Sequence, residues 1–104
     1  MEILTTVAGD GTSLVMVVRG DASYPDADQL PGRLERALAV MPDLSAVQVD
    51  VADVGFIDSY GLRGLIGMRR LADSHGCDYS IQQPSRAVLR LLELTNLADY
   101  LGAT

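Results

Sequence analysis

A single cysteine, Cys77, is all the thiol the chain contains, so no internal disulfide and no thiolate metal cluster can form. That usage suits a reducing cytosol, and Cys77 itself reads as a small buried apolar residue. The one histidine, His75, stands beside Gly76 at the end of a helical pattern, where an imidazole complements the carbonyl end of the helix. It has no evident serine to serve as base. "DSYG" around Ser59 also lacks the G-x-S-x-G elbow of a serine hydrolase. Basic residues are in the minority, 8 against 14 acidic ones for a net charge of -6. That balance disfavours a nucleic-acid or anionic-membrane surface and favours a partner with a basic contact patch.

Long apolar runs are missing as well. None approaches the ~18 residues of a membrane span, and "MEILTTVAGD" has neither the charged leader nor the apolar core of a signal peptide. The expectation is a soluble cytoplasmic protein with no membrane insertion. No glycine-rich phosphate loop follows a strand, because Gly61, Gly64 and Gly67 fall inside a helical pattern, and no cofactor is expected. Asp50, Asp53 and Asp58 match no metal-ligand loop and read as solvated carboxylates.

What is present is enough apolar material for one core: 48% hydrophobic residues in 104, the size of one domain spanning 1–104. "MEILTTVA" and "SLVMVVRG" are β-branched runs on either side of Gly9, Asp10 and Gly11, which supply the positive φ values of a hairpin. Ala27, Leu30, Leu34, Ala37, Leu38 and Met41 then mark one face of an amphipathic helix. Pro31 requires that helix to begin near Asp26 to Asp28, and Pro42 closes it. Val47, Val49 and Val51 alternate in a buried strand over 45–51. A helix from about Ser59 to Asp73 follows, then a strand in "CDYSIQQ" and a helix in "PSRAVLRLLEL" capped by Ser85. The order ββαβαβα predicts an α/β fold. Its mixed sheet has four or five strands, an N-terminal hairpin with the first strand at an edge, and helices largely on one side.

The segment "FIDSYGLR" carries the functional signal. Asp58 suits the N-cap, its carboxylate accepting from the Tyr60 or Gly61 N–H and favouring the positive end of the helix. Ser59 is then the first helical residue, with its hydroxyl free to face solvent. Gly61, Gly64 and Gly67 each cost roughly 1 kcal/mol against alanine inside a helix. Their presence implies a close backbone approach, by a neighbouring element or by a docking partner.

"IDSYGL" resembles the D-S-[S/T/A]-G-L signature of STAS domains, particularly of stand-alone bacterial anti-sigma factor antagonists. "VRGD" at Val18 to Asp21 and "PSRAVLRLLELTNL" resemble the family's second-strand end and late helix. The resemblance implies a STAS fold and a protein without catalysis of its own. Its partners would be an anti-sigma factor serine kinase, which phosphorylates Ser59, and a phosphatase that reverses this. Unphosphorylated protein would bind the kinase and free the sigma factor; phosphate would break that complex. The implied partner-binding residues are Asp21, Ser23, Asp58, Ser59, Tyr60, Gly61, Leu62 and Arg63. The alternative is a constitutive STAS interaction module, as a lipid-transport ATPase subunit or a component of a stress-sensing assembly.

Overall fold

The structure is a computed structural model that describes residues 1–103. Strands β1 (Glu2–Ala8) and β2 (Ser13–Ala22) form the opening antiparallel hairpin. Gly9 and Gly11 turn it with φ of 42° and 83°. Asp10 does not share that conformation. Its carboxylate accepts from the Thr12 N–H and hydroxyl at 2.9 and 2.7 Å instead, which is how a short polar side chain stabilises a turn.

A 3₁₀ turn, Asp26–Asp28, leads into α1 (Gln29–Val40). Pro31 is the third residue of α1, inside the first turn, where a missing N–H has no intrahelical partner to lose. Strand β3 (Ala46–Ile57) pairs parallel with β2, and β4 (Asp78–Gln82) pairs parallel with β3. The α-helix between these two strands, α2, spans Ser59–Ser74, and α3 spans Arg86–Leu94. The sheet order is β1-β2-β3-β4, with β1 at one edge.

One face of the sheet makes the core. Leu14, Val47 and Tyr79 stand in register across three strands, as do Met16, Val49 and Ile81, and all six are buried. Leu30 and Leu34 of α1, Leu65 and Met68 of α2, and Val88 and Leu92 of α3 join them in one cluster. The Tyr79 hydroxyl donates to the Leu65 carbonyl at 3.0 Å, satisfying the one polar atom this ring carries into the interior. Burial pushes its phenol pKa upward. On the opposite face Glu2, Arg19 and Asp53 form a row across three strands, joined by two exposed ion pairs of 3.6 Å each.

Strand β3 runs six residues beyond the predicted end at Val51. Its register against β2 shifts twice, between Val17 and Arg19 and between Gly20 and Asp21. Each shift places an extra residue on β3 and reverses which side chains face inward. Val47, Val49 and Val51 are therefore buried at odd positions, and Val54 at an even one. The strand carries on, and its alternation does not.

The C-terminal residues cover the β4 edge of the sheet. Asn96 takes a φ of 60° after α3, the left-handed turn that asparagine tolerates. The Ile81 N–H donates to the Gly102 carbonyl at 3.3 Å, and Leu101 is fully buried. Gly102 lies so close to β4 that a Cβ there would be 2.9 Å from the Tyr79 oxygen.

Candidate functional site

Strands β2 and β3 end side by side, Ala22 opposite Ile57, and the chain leaves β3 through Asp58 into α2. Asp58 is extended, with φ −112° and ψ −171°, and its Oδ1 accepts from the Gly61 N–H at 2.9 Å. This is the predicted N-cap. Its second oxygen has a partner that the sequence did not suggest: Oδ2 accepts from the Tyr24 N–H at 3.0 Å. One carboxylate thus holds both the start of α2 and the loop that follows β2. These amides, Tyr24 first and Gly61 second, lower the Asp58 pKa by favouring the ionised form.

A folded-state pKa below the unfolded value means that ionised Asp58 stabilises the fold above about pH 4, and that this contribution is lost as the pH falls through the folded value. Asp58→Ala should therefore melt several degrees below the parent chain at pH 7. At pH 3 the gap should narrow, because the parent loses the charge-assisted part of the cap. Thermal melts of both proteins at the two pH values measure it, and a gap that widens in acid would refute the assignment.

Ser59 is the first residue of α2 and is exposed. With Asp58 serving as cap, its hydroxyl makes no hydrogen bond among the described residues. Tyr60, 36% exposed, lies beside Tyr24, ring centroids 4.9 Å apart and tilted by 54°. The Arg63 guanidinium stands 5.8 Å from the Tyr60 ring centre, within cation–π range. Asp58, Ser59, Tyr60 and Arg63 are thus gathered at one end of the molecule. Asp21, exposed at the end of β2, faces Phe56 across the sheet. Ser23 is half-buried, and its carbonyl accepts from the Ala27 N–H at 2.9 Å. Leu62 is partly buried against the core.

Gly61 is buried rather than presented to solvent. A Cβ there would come within 2.7 Å of Ile57 Cγ1 and collide with the Ala22 backbone. Gly64 and Gly67 repeat the pattern, with built Cβ atoms 2.9 Å from the Ala27 oxygen and 3.1 Å from Pro31 Cγ. The close approach these glycines imply is made by the chain's own β2, 3₁₀ turn and α1.

Two exposed aromatic residues lie outside the implied partner-binding set, Tyr24 at 63% and Phe56 at 54% exposure. Tyr24 packs on Tyr60, the residue after Ser59, and Phe56 lies beside Asp21 at the end of the β2–β3 pair. Aromatic side chains carry much of the energy at protein interfaces, and such rings left in water are the signal that was available.

The sequence matches the family model described as "Mlab, STAS domain" over residues 5–102. The chain belongs to the STAS domain family. No curated protein matches it. Among solved structures, the anti-sigma factor antagonist SpoIIAA in its unphosphorylated form is similar with a TM-score of 0.79 at 14% identity, over 95% of this chain and 84% of that one. The phosphorylated form from Bacillus gives 0.73 at 13%, over 95% and 87%. An anti-sigma factor antagonist from Mycobacterium paratuberculosis gives 0.71 at 22%, over 96% and 83%. At these identities the likeness is one of fold, and it agrees with the α/β arrangement of a four-stranded mixed sheet and three α-helices.

Proposed function

We propose that the chain is an anti-sigma factor antagonist that binds an anti-sigma factor serine kinase and is switched off by phosphorylation of Ser59. The observation that carries this reading is the exposed serine at the first position of α2, relieved of capping by the neighbouring Asp58 and followed by Tyr60, whose exposed ring packs on that of Tyr24. In the transfer, the γ-phosphoryl group of ATP bonds to Ser59 Oγ, ADP leaves, and the serine proton passes to a base of the kinase. The chain supplies the acceptor and the docking surface, the kinase supplies the catalysis, and a phosphatase resets the switch. The fold similarity to two states of SpoIIAA, one of them phosphorylated, supports the reading.

The test is an incubation with a purified anti-sigma serine kinase and ATP, followed by mass spectrometry. One phosphate is expected on Ser59, and none on Ser59→Ala, which should bind the kinase as well as the parent and change stability by under ~1 kcal/mol because only an exposed hydroxyl is lost. Phosphate on the alanine variant would move the acceptor elsewhere. A second reading, a constitutive STAS module in a lipid-transport ATPase or a stress-sensing assembly, draws support from Tyr60, a bulky aromatic immediately after the serine a kinase must reach. A chain that no such kinase binds or labels would favour it.

A further inference from the structure

Arg63 is the basic residue nearest Ser59 in sequence, one helical turn away, and residues four apart lie on the same helical face. Helical side chains lean toward the N-terminus, and the guanidinium over the Tyr60 ring shows Arg63 leaning that way. It is exposed, lines an open groove of about 370 Å³ between α1 and α2, and has no carboxylate partner among the described residues. The first turn of α2 therefore ends in a cation held only by an aromatic face.

We propose that Arg63 holds the phosphate of phosphorylated Ser59 within the chain, and leaves the face of Tyr60 to do so. The inference rests on the reading of Ser59 as the phosphate acceptor. A phosphate adds about -1.5 to -2 charge next to the Asp58 carboxylate, which is ionised and committed to two amides. The amide of Gly61 is thus already taken. A guanidinium is the natural counter-ion, since its planar fork matches phosphate oxygens and their hydrogen bonds are charge-assisted. That pull exceeds a cation–π contact at an exposed site. Phosphorylation would then do two things at the docking surface: add negative charge at Ser59, and strip Tyr60 of its cation so that the aromatic pair with Tyr24 loses one of its supports.

The phosphate can be installed without a kinase, by translational incorporation of phosphoserine at position 59, and its second ionisation followed by ³¹P NMR. With Arg63 present the ionisation should fall about half a pH unit lower than in Arg63→Gln, roughly a threefold difference in proton affinity. Arg63→Lys should retain part of the effect. The other charged groups around this turn are Asp58, Asp21 on β2, Asp26 and Asp28 of the 3₁₀ turn, the Met1 ammonium paired with Asp26, and Arg70 in the same groove; all are common to every variant, so they cancel in the comparison. The Tyr60 ring resonances should also move further on phosphorylation in the parent, where the ring loses its cation, than in Arg63→Gln. Equal titration midpoints within about 0.1 pH unit, or equal Tyr60 shifts in both chains, would overturn the proposal. Failure of a kinase to label Ser59 speaks against the parent reading alone, because the phosphate here owes nothing to a kinase.

Discussion

Gly61→Ala is expected to destabilise the fold by about 3 kcal/mol, the upper part of the range for forcing a methyl group into a closed contact. The atoms it would meet are the Ala22 carbonyl group and Ile57 Cγ1. A side-chain tip can swing aside, but the carbonyl belongs to β2, and it also accepts from the Asp58 N–H at 3.3 Å. Moving it disturbs the junction that presents Ser59. Gly32→Ala is the matched control: it lies within α1 and nothing stands within 4 Å of its built Cβ, so alanine there should stabilise by roughly 0.5 to 1 kcal/mol through helix propensity alone. Urea unfolding of the two variants beside the parent gives both numbers. If the two substitutions have equal effects, the close approach of β2 to α2 is not what requires glycine at 61.

The second large effect concerns binding. Ser59→Asp should weaken binding to the anti-sigma kinase about a hundredfold relative to Ser59→Ala. A kinase that phosphorylates Ser59 must bring a catalytic carboxylate and the ATP phosphates up to this hydroxyl, so the partner is locally negative at this point, whatever its wider charge. A unit charge about 6 Å from another of the same sign costs about 3 kcal/mol at an effective dielectric of 20, before salt screening, which corresponds to about a hundredfold in affinity. A basic patch elsewhere on the partner would still complement the chain's net charge of -6, and that contribution, unlike the local one, should fade as salt is raised. Calorimetric titration of both variants against the kinase with ADP bound measures the difference. Affinities within threefold of each other would show that charge at Ser59 is not the switch.

Much of the frame was legible because local rules and global packing agree in it. The hairpin followed from glycines flanking two β-branched runs, and the caps of α2 and α3 from Asp58 and Ser85, whose side chains accept from Gly61 and Val88. The last six residues of β3 were not legible, because two register shifts break the alternation by which a strand is recognised. The partners of the glycines could not be read either: the sequence shows that something approaches Gly61, and only the fold identifies it as β2. The same holds for the site. Ser59 and Asp58 announce themselves as neighbours in a motif, whereas Tyr24 reaches Asp58 from 34 residues away, a contact that no local pattern encodes.

The two-handed grip of Asp58 has a kinetic side. Because its carboxylate already ties the Tyr24 loop to the start of α2, the surface around Ser59 is ordered before anything docks on it. Association then loses little chain entropy at the contact, and a partner meets a preformed patch rather than a segment that must fold on arrival. The encounter rate is set by diffusion, orientation and charge steering. If Ser59 is the proposed switch, its phosphate would change the encounter rate only through charge steering, and the loss of fit at a preformed patch would show as a shorter residence time.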